Sequence, residues 1–164
     1  MRRFIIIICA LILGLNTAHA RIKVIDGDSI FINQREIRLS GIDAPEYDQS
    51  CFDAEDKPYA CGAEAHKALQ KMVDNTLKCR KVATDRYHRE VSICHAGGLN
   101  LNRQMVLQGW AVAYNRYTHD YDQDEAEARR LKRGIWQGRF MQPEFYRILK
   151  RQQKQSSAAT KLKK

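Results

Sequence analysis

The stretch "VIDGDSIFINQREIRLSGIDAPE", Val24 to Glu46, sets two apolar runs on either side of a polar triplet, Asn33 to Arg35. Runs rich in Ile and Val with a short polar break between them read as two strands and a tight turn, over residues 22–33 and 36–42. Charged residues interrupt this hairpin where burial would favour Val or Thr. Asp26 and Asp28 stand two apart, a spacing that puts both side chains on one face of a strand. The same Asp-Gly step also suits a turn. A calcium loop of the helix–loop–helix kind is excluded, because Ile30 and Phe31 fall where a third ligand and the required glycine should stand. Arg38 lies inside the second apolar run and needs an anion there, either a neighbouring Asp or a bound ligand. Asp43 ends that run, Pro45 breaks the ladder, and Glu46 is left in a loop at a strand end.

Working outward, residues 47–57 lose periodicity and collect Asp48, Asp53, Glu55 and Asp56, the composition of an exposed loop. "GAEAHKALQKMVDN" then brings Ala65, Leu69, Met72 and Val73 onto one helical face. A second hairpin, "CRKVATDRYHREVSIC", follows, with its charged tip at Asp85 to Arg89. A short helix is expected from about Asn100 to Gly109. A last helix opens at "DQDE", with Asp122 as the cap and Glu125 three residues on, and closes before Gly134. No internal repeat is visible. Strands, helix, strands and helices in that order describe a small α+β domain.

The two ends differ from the body. Residues 1–20 carry Arg2 and Arg3, an apolar run and "AHA", the pattern of a secretory signal peptide. The run is too short for a membrane span, and cleavage after Ala20 leaves no anchor. Residues 21–149 form the folded domain. Residues 150–164 hold six cations and no acid, and are expected to be a disordered basic tail. Of the formal charge of +9, the body accounts for little: between residues 21 and 149, 20 Lys and Arg face 19 Asp and Glu. Export also decides the cysteines. With Cys9 removed, four remain in an oxidising compartment, with no C-x-x-C and no zinc-like spacing to His. A two-residue turn at Arg86 and Tyr87 would set Cys79 opposite Cys94, within disulfide reach, leaving Cys51 to pair with Cys61.

Taken together, the polar residues form a set. Phosphodiester cleavage needs a hard cation held by carboxylates, a carboxylate to activate water, and guanidiniums to grip charge growing on phosphorus. "VIDGDSI", "IRLSGIDAPE", "DRYHREVSI", "LNLNRQMVLQGWA" and "EARRLKRGIW", in that order, resemble the staphylococcal nuclease family from about Ile22 to Gly138. The resemblance implies a five-stranded OB-fold β-barrel with three α-helices and a secreted, calcium-dependent nuclease. By it, Asp28 and Asp43 match the calcium-binding carboxylates, Ala44 offers its backbone carbonyl to the ion, and Asp26 lies in the outer shell. Arg38 and Arg89 match the catalytic arginines, and Glu46 matches the general base. Arg86 and Tyr87 fall where the family contacts substrate phosphate. His88 departs from a frequent glycine at the hairpin tip.

The expectation is a hydrolase of ester bonds, a monomer exported to the periplasm or beyond. It would cut DNA and RNA without sequence preference, at the 5′ P–O bond, leaving 3′-phosphates. The rival is a non-catalytic OB-fold module that binds nucleic acid or protein. Retention of Arg38, Glu46 and Arg89 favours catalysis over it. A stapled secreted protein with a structural calcium site leaves both arginines unexplained.

Overall fold

In the computed structural model, which describes residues 21–162, β1 (Ile22–Val24), β2 (Ser29–Ile32) and β3 (Arg35–Leu39) form an antiparallel meander. The signal-peptide segment lies outside the described residues. Asn33 and Gln34 close the β2–β3 hairpin with φ of 47° and 69°, a two-residue turn whose twist matches that of the strands. The first apolar run is not one strand, however. It bends over residues 25–28, where Ile25 N–H donates to the Ser29 carbonyl and Asp28 N–H to Asp26 Oδ1. The turn reading of Asp-Gly is therefore the correct one, and Asp26 and Asp28 do not share a strand face.

After β4 (Ile42–Asp43), the loop of acidic residues contains a small hairpin, β5 (Cys51–Phe52) with β6 (Pro58–Tyr59). The Cys51–Cys61 disulfide joins it to the start of α1 (Cys61–Met72). β7 (Lys78–Thr84) and β8 (Glu90–Ala96) form the long hairpin, and β8 runs parallel to β3 with Arg38 beside Val91. The curled sheet thus reads β1–β2–β3–β8–β7, with β9 (Leu99–Asn100) on the far end of β8. α2 (Leu101–Leu107) follows, capped by the Asn100 side chain on Arg103 N–H. β10 (Val112–Ala113) pairs with β4, and α3 (Asp122–Arg130) and α4 (Pro143–Leu162) complete the chain. This is the OB-fold-like α+β architecture that the strand order implies, with four helices rather than three.

The apolar core lies between the concave sheet and α1 and α2, with Ile30, Ile37, Leu39, Leu69, Leu101 and Met105 fully enclosed. One buried polar side chain ties these layers together. Asn102 accepts from Cys94 N–H and donates to the carbonyls of Ser40 and Ser92, so α2, β8 and the end of β3 hold one register. A smaller cluster of Cys51, Cys61, Val112 and Ile135 lies beneath the acidic hairpin.

Three local expectations need correction. Asp122 does not cap α3; Tyr121 takes that place, while Glu125 accepts instead from Ala113 N–H and Arg129. At the other end of α3 the left-handed position belongs to Lys132 (φ 52°), two residues before Gly134. Residues 150–162 are not a disordered tail, since α4 runs from Pro143 through them without interruption. The physical reason is local: Pro143 opens the first turn, Glu144 suits the dipole, and the Lys, Arg, Gln and Ala that follow are good helix formers.

The β7–β8 hairpin reaches its cysteine register by an unexpected route. Cys79 lies opposite Cys94 and the two are bridged, with Cα atoms 4.1 Å apart. Yet the tip is a three-residue loop, Arg86 to His88, with Asp85 N–H on the Arg89 carbonyl and His88 N–H on the Asp85 carbonyl. A bulge between Lys81 and Ala83 absorbs the offset, so the register at the cysteines agrees with a two-residue turn although the turn is longer. His88 occupies the left-handed position that closes such a loop (φ 65°), where a β-carbon is unfavourable. His88→Gly should therefore stabilise the oxidised protein by about 0.5–1 kcal/mol. The check is a urea midpoint that moves up with an unchanged slope; a lower midpoint would mean that the imidazole itself holds the loop.

Candidate active site

β3 is flanked on both sides, by β2 and by β8, and it carries Arg38 near the point where the sheet curls. From there the guanidinium forks between two carboxylates. Nη1 donates to Asp28 Oδ1 at 2.8 Å and Nη2 to Asp43 Oδ1 at 2.7 Å. Asp28 reaches this point because the bend at residues 25–28 turns it inward. Its Oδ2 accepts from Ala44 N–H at 2.8 Å, and its Oδ1 also accepts from Ser29 Oγ. Asp43 is held by the β4–β10 pairing with Val112. The two acids are 2% and 1% exposed, so neither is hydrated to any useful degree.

Burial governs their chemistry. Loss of water raises the Asp28 carboxyl to about 6, with the nearby Asp26 charge pushing the same way; Arg38 and Ala44 N–H only partly offset this. Asp43 is also raised, first by burial and then by Asp28, against the pull of Arg147 and Arg38. Arg38 stays charged, because the two carboxylates outweigh the burial that opposes its charge. A pair of carboxyls that ionise reluctantly marks a place where more positive charge would be welcome.

Glu46 comes from the next loop, and α1 sets its position. Gly62 lies so close that a β-carbon there would sit 1.7 Å from the Glu46 carbonyl oxygen. Gly62 N–H also donates to the Gln49 carbonyl, and Gln49, fully buried, reaches across to the Met141 carbonyl with its Nε2. The Cys51–Cys61 bridge closes the same loop from its other end. The Glu46 carboxylate is partly exposed at the rim of the site, as a residue that meets water must be.

An unforeseen residue joins Glu46 to the buried pair. Arg147, on the first turns of α4, places Nη1 on Asp43 Oδ1 and Nη2 on Asp43 Oδ2, both at 2.9 Å, and Nη1 again on Glu46 Oε1 at 3.1 Å. Its pKa is raised by Asp43 and Glu46, although burial opposes its charge. No local pattern marked it. The available signal was a count of charge: Asp28, Asp43 and Glu46 against Arg38 alone leaves buried negative charge unmatched.

Three of the remaining sequence candidates, Arg86, Tyr87 and Arg89, lie outside this cluster. Arg89, just before β8, donates through Nε to Asp85 Oδ2 at 2.7 Å and through Nη1 to Glu36 Oε1 at 3.4 Å. It makes no hydrogen bond to Asp28, Asp43 or Glu46. Arg86 and Tyr87 sit at the hairpin tip, with the Arg86 guanidinium 4.9 Å and that of Arg89 5.6 Å from the Tyr87 ring centroid. Tyr87 is exposed. Ala44 contributes its N–H to Asp28, and Asp26 supports Asp28 through the Asp28 N–H.

Among the described residues no three His, Cys, Asp or Glu side chains converge as a metal site. Asp28 and Asp43 nonetheless fit a hard cation in donor type and charge. They are two buried carboxylates, both raised, and the oxygens of one are already engaged by a cationic group. Water and backbone carbonyls would have to complete the shell.

Residues 36–138, more than half of the chain, match the family of staphylococcal nuclease homologues. Among curated proteins, the chain is 35% identical over 128 residues to the succinoglycan biosynthesis protein ExoI of Rhizobium meliloti (strain 1021), covering 74% of this chain and 64% of that protein. It is 31% identical over 123 residues to an uncharacterized endonuclease of Haemophilus influenzae, covering 70% and 64%. With the micrococcal nuclease of Shigella flexneri it shares 32% identity over 136 residues, covering 70% and 71%. The match thus spans just under two thirds of the length of the first two relatives. With its fold, its ordered motifs and its match from Glu36 to Gly138 in agreement, this chain belongs to the staphylococcal nuclease family.

Proposed function

We propose that the protein is a calcium-dependent nuclease that hydrolyses phosphodiester bonds in DNA and RNA without sequence specificity. The observation that carries this reading is the Arg38 fork on two buried carboxylates with Glu46 at their rim. A structural ion pair would need neither the second acid nor an exposed glutamate beside it. Two of the relatives are named for endonuclease or nuclease activity, which agrees with the reading.

Asp28, Asp43 and the Ala44 carbonyl would hold the calcium ion, with Asp26 behind Asp28. A bound calcium supplies positive charge to a phosphate oxygen and lowers the pKa of nearby water. Glu46 takes a proton from the water that attacks phosphorus, and the bond to the 5′ oxygen breaks, leaving a 3′-phosphate. Arg38 turns one face of its guanidinium from the carboxylates to the equatorial oxygens as their charge grows. Arg89 can do the same once it gives up Asp85, as the attacked phosphorus group gathers a second negative charge. Arg86 and Tyr87 hold the flanking phosphate at the hairpin tip. The two disulfides suit an oxidising compartment, and no described helix is long and apolar enough to cross a membrane; we therefore place the mature enzyme in the periplasm or outside the cell.

Plasmid and RNA cleavage with calcium, and with excess chelator, tests the reading; full activity in chelator would remove it. Glu46→Gln preserves shape but not basicity, and should lower the single-turnover rate by about 10²–10⁴-fold. Arg38→Lys keeps one charge but cannot fork, so it should also lose at least about 10²-fold. Near-native turnover by either variant, with unchanged circular dichroism, would refute its assigned role.

A further inference from the structure

We propose that α4 is a cation-displaced plug: Arg147 holds carboxylates that would bind the metal, and calcium binding expels it. The proposal rests on the metal reading above and adds regulation to it. Three observations carry it.

The first is stereochemical. Arg147 takes both oxygens of Asp43 and one of Glu46. A calcium ion drawing on Asp43 competes for those oxygens, and Arg147, which takes both of them where Arg38 takes one from each acid, stands most directly in its way. The plug also ties down Glu46, the group that must be free to take a proton. One residue therefore blocks ligand and base together.

The second is how α4 is attached. Past the buried Pro143 that opens it, its apolar side chains are exposed: Phe145 is 59% exposed, Ile148 38% and Leu149 43%. The contacts that hold it are polar. Lys150 pairs with Asp48, Tyr146 Oη donates to the Asp48 carbonyl at 3.2 Å, and Arg116 pairs with Glu144 at 2.8 Å. A helix fixed by partly exposed ion pairs can leave at small cost, whereas one fixed by buried Leu or Phe cannot. The third is position. The family match ends at Gly138, and α4 begins beyond it, so Arg147 lies outside the matched segment.

The test uses the full mature chain and calcium alone, with no substrate. Isothermal titration should give a calcium Kd about 10–100-fold tighter for Arg147→Gln than for the parent protein. Asp48→Asn, which loosens the Lys150 latch without touching the carboxylates, should tighten it about two- to fivefold. Hydrogen exchange supplies the second readout. Calcium should speed exchange across residues 146–158 of the parent protein, while in Arg147→Gln those amides should be fast already and indifferent to calcium. Equal Kd values in parent and variants, or α4 exchange unmoved by calcium, would overturn the plug and leave the metal site standing. Failure of every form to bind calcium would overturn both.

Discussion

The fork of Arg38 between Asp28 and Asp43 is the constraint on which the rest of the site depends. Two carboxylates almost without water repel each other and resist ionising, and one guanidinium between them relieves both effects at once. The arrangement demands a rigid base, because a fork tolerates little misplacement. β3 supplies it by being paired on both sides, parallel to β8 and antiparallel to β2. The parallel pairing in turn requires the chain to cross over through α1 between β3 and β7–β8, and α1 is the element that positions the Glu46 loop through Gly62. The geometry of the candidate site and the sheet topology are thus one problem with one solution.

Much of this was legible in the chain. Apolar runs around Asn33 and Gln34 gave the first hairpin, because a two-residue turn has a strong local signature. The helical face of α1 and the start of α2 near Asn100 were equally local, and Asp28, Arg38, Asp43 and Glu46 were singled out by being charged where apolar residues belong. The failures share a cause. The bend at residues 25–28 follows from Asp28 turning toward an arginine ten residues away, and a strand pattern conceals that pull. The hairpin tip was misread by one residue because the bulge near Val82 cancels the error at the cysteines. Arg147 lies 104 residues from Asp43 in an unremarkable amphipathic segment, and a long-range ion pair leaves no periodicity to read.

Arg89 shows the converse. Its role was read from a resemblance, and in the structure it is occupied by Asp85 and Glu36. The same Asp85 also accepts the backbone N–H groups of Tyr87 and Arg89, which organise the tip; against burial, the Arg89 side chain first and these backbone groups after it hold the Asp85 carboxyl below its usual range. Asp85 therefore has two duties, to shape the loop and to park the arginine. A phosphate need replace only the second, since the backbone bonds persist when the guanidinium swings away. The tip can deliver Arg89 without being rebuilt.

The same economy explains why a C-terminal helix would dock by charge. Asp43 has one oxygen toward Arg38, and without Arg147 its other oxygen would be buried and unmatched. Such a group is costly enough to loosen β4 and with it the loop that carries Glu46. Arg147 removes that cost, so α4 stabilises the carboxylates that it covers. Were α4 held by apolar burial, the obstruction would outlast the arrival of the cation. Held by polar contacts to Asp43, Glu46 and Asp48, it loses its anchor when positive charge reaches Asp43 from elsewhere. The exposure of Phe145, Ile148 and Leu149 is then a requirement of reversible docking rather than a defect of packing.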